Sequence, residues 1–323
     1  MRRFLAIIAL PLLACLVISG CGSSKPSASP TASATTNSNA AVTVTGAFGT
    51  TPKVNIPKLK ATNKLTVKTI IKGTGATFTT NDALAANYAV YLWDGTTSSQ
   101  RGSTFGSTPQ LIPSKTLPGL QTALIGQTVG SRVLAVVPPA EGFGISGNPQ
   151  AGVTGTTTLV FVIDLVKMYP NTAGAAGSQE SDGGGSLPTV SAKAGGAPTL
   201  TLPSSPPPSG LVTKTLIKGN GPKIEKGDYV VAQYVGDIWR TKKAFSSSWT
   251  AGSPFGFTIG ISPAQVIPGW DKALVGQSVG SRVMLVIPSK DGYGSTGESQ
   301  AGITGTDTLV FVVDIIDALK PTS

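Results

Sequence analysis

Residues 118–133 return almost unchanged 150 positions later as residues 268–283. Pro118-Gly119-Leu120 becomes Pro268-Gly269-Trp270, and Gly130-Ser131-Arg132-Val133 becomes Gly280-Ser281-Arg282-Val283. The same spacing reads without a gap from Gly102/Gly252 to Thr158-Leu159-Val160-Phe161 and Thr308-Leu309-Val310-Phe311. Nearer the start, Lys68-Thr69-Ile70-Ile71 matches Lys214-Thr215-Leu216-Ile217 at 146, which makes the first copy four residues shorter. That loss is expected between Trp93/Trp239 and Gly102/Gly252. Units of this length each bury a core of their own, so the repeat implies two homologous domains, 61–169 and 209–320.

The remaining segments read as connectors. Residues 21–60 are mostly Ser, Thr, Ala, Asn and Pro and offer little apolar surface to offset the entropy of ordering, so a disordered tether is expected. Residues 170–208 carry Ser181-Asp182-Gly183-Gly184-Gly185 and Pro206-Pro207-Pro208, the composition of a disordered linker that stiffens toward polyproline geometry. At the front, Arg2 and Arg3 precede an apolar run, Phe4 to Ile18, of signal-peptide length. The run ends in Ile18-Ser19-Gly20-Cys21, which resembles a bacterial lipobox and implies a signal peptide over 1–20 and a diacylglyceryl group on Cys21. Two acyl chains hold a protein to a membrane, so the expected location is extracytoplasmic, lipid-anchored to the outer face of the cytoplasmic membrane.

Within the second copy, strands are expected at about 211–218, 229–239, 254–260, 281–288 and 307–317, where β-branched and aromatic residues recur with partial alternation. The single helix candidate is Pro268 to Val275, with Trp270, Ala273 and Leu274 on one face and Gly276 as its stop. An antiparallel sheet wrapped around one short α-helix follows, an α+β fold in each copy.

Composition removes whole classes of chemistry. No histidine is present, which excludes Ser-His-Asp triads and His-ligated metals. Of the two cysteines, Cys15 lies in the expected signal, so neither a disulfide nor a thiolate cluster can form in the mature chain. No cofactor and no metal are expected. The net charge is +10, or about +8 without Arg2 and Arg3, yet no Lys/Arg cluster interleaved with aromatics points to nucleic acid.

Val266-Ile267-Pro268-Gly269-Trp270, Gly280-Ser281-Arg282, Tyr293-Gly294 and Thr308-Leu309-Val310-Phe311 together resemble the FKBP-type peptidyl-prolyl isomerases. The resemblance covers nearly a whole domain and recurs in the first copy, so it implies two tandem FKBP-like domains. It implies an apolar pocket of Tyr234, Phe245, Phe255, Val266, Ile267, Trp270, Tyr293 and Phe311. Trp270 would form its floor, and the Ile267 N–H and the Tyr293 hydroxyl would bind substrate carbonyls. The competing reading of each ring is plain core packing. Ser246 stands where the family usually has an aspartate, which weighs against macrolide affinity more than against isomerisation. In the first copy Tyr88, Phe105, Leu117 and Phe161 remain, but Leu120 replaces Trp270, Phe143 replaces Tyr293, Thr116 replaces Val266, and nothing clearly matches Phe245. The implied activity is isomerisation of X-Pro bonds in exported proteins by the second copy. A peptide-holding chaperone is the alternative, above all for the first copy, and proline-containing unfolded segments are the expected partners in either case.

Overall fold

The computed structural model describes residues 41–192 and 196–321. The expected signal peptide, Cys21 and the tether up to residue 40 lie outside the described residues. In copy one the strands are β1 (Thr43–Thr45), β2 (Lys53–Asn55), β3 (Thr66–Ile71), β4 (Asp82–Asp94), β5 (Thr97–Ser103), β6 (Gln110–Ile112), β7 (Arg132–Val137) and β8 (Thr158–Pro170). Helix α1 (Pro118–Leu124) lies between β6 and β7. The strands β3-β7-β8-β4-β5 form one sheet in that order, with β6 also paired to β4, and all pairings are antiparallel.

Copy two follows the same plan with β12 (Val212–Gly219), β13 (Tyr229–Ile238), β14 (Lys243–Ser247), β15 (Phe255–Thr258), β16 (Arg282–Ile287) and β17 (Leu309–Leu319). Helix α3 (Pro268–Leu274) packs on β16, and a single turn, α2 (Ser248–Ala251), follows β14. Proline opens α1 and α3 at a position whose N–H has no intrahelical partner in any helix. The next residue is glycine for a steric reason: a Cβ on Gly269 would stand 2.6 Å from Ile287. The helix backbone lies directly on the Ile287 side chain of the sheet.

Two of the expectations above are overturned. Residues 41–60 carry the hairpin β1–β2, and residues 170–208 carry β9 (Gly177–Gln179) and the hairpin formed by β10 (Thr189–Ser191) and β11 (Thr199–Thr201). Strand β9 extends the second sheet beyond β12. Each hairpin covers the sheet face turned away from the helix. Val42 and Val44 pack with Trp93, Leu134, Val136, Val160 and Val162, while Val190 and Leu202 pack with Trp239, Met284, Val286, Val310 and Val312. These sheets are therefore covered on both faces, which is why β4, β13 and the cores of β8 and β17 are buried almost without interruption. The hairpins are repeated too: Val44/Val190, Pro52/Pro198, Val54/Leu200, Ile56/Leu202 and Pro57/Pro203 all keep the spacing of 146. What reads as linker is the opening of the second repeat.

A buried ion pair sits under each hairpin. Arg132 and Asp164 are fully buried at 2.6 Å, with the guanidinium also donating to Gly46 O and Thr50 O in the β1–β2 turn and Gly49 N–H donating to Asp164. Arg282 and Asp314 repeat the pair at 2.6 Å, with Ala175 N–H donating to Asp314.

Candidate functional site

On the helix side of the second sheet, side chains from five elements converge. The indole of Trp270, 3% exposed on the first turn of α3, lies 5.4 Å from the Tyr234 ring, 5.3 Å from Phe311 and 6.4 Å from Phe255, each edge to face. Phe245 meets Phe311 at 5.6 Å, and Tyr234 meets Phe255 at 5.8 Å. Trp270 and Phe311 are buried and form the floor, while Tyr234, Phe245, Phe255, Val266, Ile267 and Tyr293 stay partly exposed around it. A buried floor with a half-exposed aromatic rim is a cup, and a plain core would bury the rim as well.

The local sequence makes room for this cup. Residue 236 has no side chain, and a Cβ there would fall 2.7 Å from the Phe311 ring and 3.1 Å from Phe245. At the N-cap of α3 stands Ile267 rather than a capping Ser, Thr, Asp or Asn, which forgoes about 1 kcal/mol of helix stabilisation in exchange for an apolar wall.

The polar groups at the rim are few. The Tyr234 hydroxyl is 2.8 Å from Ser246 Oγ, the position where the family aspartate is missing. Neither the Ile267 N–H nor the Tyr293 hydroxyl has a hydrogen-bond partner among the described residues, and the buried Trp270 indole N–H has none either. Burial raises the Tyr293 pKa above its ordinary value, with Tyr234 and Glu298 adding to the rise, and burial likewise raises that of Tyr234 against an opposing hydrogen bond with Ser246. Both phenols therefore remain protonated donors throughout the neutral range. Among the described residues no cluster of His, Cys, Asp and Glu could hold a metal ion. A separate cleft of about 780 Å³ lies on the opposite face of the sheet, lined by Trp249, Arg282, Asp314 and the β10–β11 hairpin, and no cup residue lines it.

Residues 75–166 and 221–316, more than half of the chain, match the family described as FKBP-type peptidyl-prolyl cis-trans isomerase. The chain belongs to that family. It is 37% identical over 119 residues to the FK506-binding protein of Streptomyces anulatus, an alignment covering 37% of this chain and 94% of that one. It is 36% identical over 121 residues to a probable FK506-binding protein of Corynebacterium glutamicum, covering 38% and 98% respectively. The crystal structure of FkpA from Escherichia coli shares 35% identity over 35% of this chain and 49% of that one, with a TM-score of 0.31. This protein is thus a peptidyl-prolyl isomerase carrying FKBP domains in tandem.

The first FKBP domain keeps the frame and changes the lining, and strand register shows where. Tyr88 N–H donates to Thr104 Oγ1 as Tyr234 N–H donates to Ser248 Oγ, so Thr104 answers to Ser248 and Phe105 to Trp249. Phe105 does not join the cup. Its ring lies 5.2 Å from the Arg132 guanidinium, on the hairpin face of the sheet. Gln110 pairs with Ala86 as Phe255 pairs with Ala232, and the Gln110 side chain lies 3.3 Å from the Tyr88 hydroxyl. Arg101 occupies the bulge that Phe245 occupies in copy two. The ungapped alignment from Gly102/Gly252 is therefore corrected. Pro118 follows Ile112 by six positions where Pro268 follows Phe257 by eleven, so the main loss falls in the loop before the helix. Val90, at the place of Gly236, joins the core with Tyr88, Leu120 and Phe161, while Leu117 and Phe143 pack against it half-exposed.

Proposed function

We propose that the cup of copy two is the catalytic site and that it accelerates X-Pro isomerisation in extended protein segments. The observation that carries this reading is the cluster of Tyr234, Phe245 and Phe255, partly exposed, around a buried floor of Trp270 and Phe311, with two donors at its rim that have no hydrogen-bond partner among the described residues. Rotation about a prolyl peptide bond faces about 18–20 kcal/mol because resonance gives the C–N bond double-bond character. Twisting abolishes that resonance and leaves a less polar carbonyl, which an apolar aromatic cup accommodates better than the planar imide. The Ile267 N–H and the Tyr293 hydroxyl hold the flanking carbonyls, so the segment rotates against a fixed frame. Lowering the barrier by about 4 kcal/mol gives roughly a thousandfold acceleration, and differential binding alone supplies it without a nucleophile, a metal or a proton transfer.

Copy one acts on this reading as a holding module. It has the apolar base of Tyr88, Leu120 and Phe161, but Phe143 lacks the hydroxyl, and Gln110 and Arg101 stand where copy two has rings. The clients are unfolded, proline-containing exported chains, and the lipobox-like Cys21 anchors the enzyme at the outer face of the cytoplasmic membrane. A cis/trans assay on a proline tetrapeptide tests the site: Trp270→Leu in the full chain is expected to lower kcat/KM at least tenfold and Tyr293→Phe about threefold. Full activity in Trp270→Leu would move the catalytic site out of this cup.

A further inference from the structure

The two copies meet along the strand that carries Phe255. Tyr229, 5% exposed on β13, crosses under β15 at Gly256, where a Cβ would lie 2.2 Å from the phenol oxygen and 3.0 Å from Leu111 Cβ. The Tyr229 hydroxyl accepts a 2.9 Å hydrogen bond from Leu111 N–H of copy one. One turn along, Ser114 Oγ donates to Gly252 O at 2.8 Å, and Ser114 N–H reaches Ser253 Oγ at 3.4 Å, at the entry to the same strand. Leu111, Tyr169, Tyr229 and Val231 form a buried apolar cluster across the junction. On its far edge Asp317 accepts from Lys167 and from the Tyr169 hydroxyl.

A second route reaches Tyr234. Asn171, whose N–H donates to Asn81 O in copy one, accepts through its carbonyl from Gln233 Nε2. Ser248 Oγ donates to Gln233 Oε1 and accepts from Tyr234 N–H. Strand β15 is hydrogen-bonded to β13 along one side only, and its other flank is copy one.

We infer that copy one is a positioning element for the isomerase site of copy two: the Leu111–Ser114 segment fixes β15 and with it the Phe255 wall of the cup. The inference rests on the reading of that cup as catalytic. Phe255 is one of the rings that must meet a twisted prolyl amide, and small displacements of such groups are costly because the reacting geometry is narrow. Leu111, Ser114 and Tyr229 touch no substrate; they act through β15.

The full chain carrying Tyr229→Phe together with Ser114→Ala loses the two side-chain ties, Tyr229 to Leu111 and Ser114 to Gly252, while keeping the ring, the backbone and the Ser114 N–H contact with Ser253. Its kcat/KM on a proline tetrapeptide is expected to fall about fivefold, mostly through a higher KM, with the far-UV circular dichroism unchanged. Leu111→Glu, which drives a charge into the cluster, is expected to lower it further. Lys167→Ala breaks the ion pair at the other edge of the junction and is expected to leave kcat and KM as they are. Double and Leu111→Glu variants that lose thermal stability but keep wild-type kcat and KM overturn the inference, as does a Lys167→Ala loss equal to that of the double variant. A wild-type chain that does not accelerate isomerisation overturns the cup reading itself, and the positioning inference falls with it.

Discussion

The two copies keep one frame and differ where a substrate would lie. Both have the Pro-Gly opening of the helix, the hairpin over the back of the sheet, the buried Arg–Asp pair and a tyrosine at 88 or 234. Of the side chains lining the cup in copy two, the places of Phe245, Phe255, Trp270 and Tyr293 are taken in copy one by Arg101, Gln110, Leu120 and Phe143, while Phe161 keeps the place of Phe311. Copy one thus shows what the scaffold needs in order to fold, and the remainder of copy two shows what a site adds. The apolar helix cap is shared, Leu117 in copy one and Ile267 in copy two; Gly236, the Trp270 N–H and the Tyr293 hydroxyl, the last two without a partner among the described residues, are confined to copy two and stabilise nothing locally. Groups that weaken a fold without local return mark functional positions.

The largest difference a substitution should expose lies in the frame itself. Asp164→Ala strands a fully buried guanidinium and is expected to destabilise copy one by about 3–5 kcal/mol. Asp314→Ala should cost copy two less, because the Arg282 side chain is 10% exposed and can hydrate. Hydrogen exchange resolved by peptide, comparing β7–β8 with β16–β17, separates the two. Equal losses would mean that the hairpins seal both pairs alike.

Next in size is the exchange that closes the cup. Gly236→Val imports the residue of copy one at position 90 and drives methyls into the Phe311 and Phe245 rings. Overpacking of this kind costs about 1–3 kcal/mol. If the cup is the site, isomerase activity should fall about a hundredfold, well beyond what the stability loss alone produces. The reverse change, Val90→Gly, should create no activity in copy one, since Arg101 and Gln110 still line it. A gain there would show that the missing rings matter less than the open space.

How much of this was legible depends on which physical signal each residue carries. The repeat, the five main strands of copy two and the helix at Pro268 were readable because identity at fixed spacing and β-branched runs survive without knowledge of register. The hairpins were not, because Ser, Thr, Gly and Pro dominate their composition while only the central residue of each three-residue strand faces inward; a two-stranded hairpin this short is unstable until it lies on an apolar sheet. Repetition of Val44 at Val190 and of Pro52 at Pro198 was the signal that could have found them. Arg101 and Gln110 were missed for a different reason. An ungapped comparison places Phe105 opposite Phe255, and only the ladder pairings of β5 and β6 with β4 show that copy one gains residues in the β4–β5 hairpin and loses more of them between β5 and α1, so that the two changes partly cancel. Identity of residue type misleads where loops differ in length on either side of a short strand.

The smallest effect separates the copies by acid. In copy two Asp307 is held down to about 2, first by the hydrogen bond from Arg240 at 2.8 Å and then by Thr304, with burial opposing. A carboxylate whose pKa is depressed on folding contributes stability that is complete above its unfolded pKa and is lost as pH falls through the folded value, here from roughly pH 4 to 2. Because Arg240 is 54% exposed, solvent screens the pair and the loss is small. Copy one has Thr157 at this place, its hydroxyl 2.7 Å from Asp94 Oδ1, and gains nothing from a charge there. Thermal melts of the wild type and of Asp307→Asn between pH 5 and 2 should therefore converge as pH falls. Parallel curves would mean that the Arg240–Asp307 pair does not distinguish the acid response of the two domains.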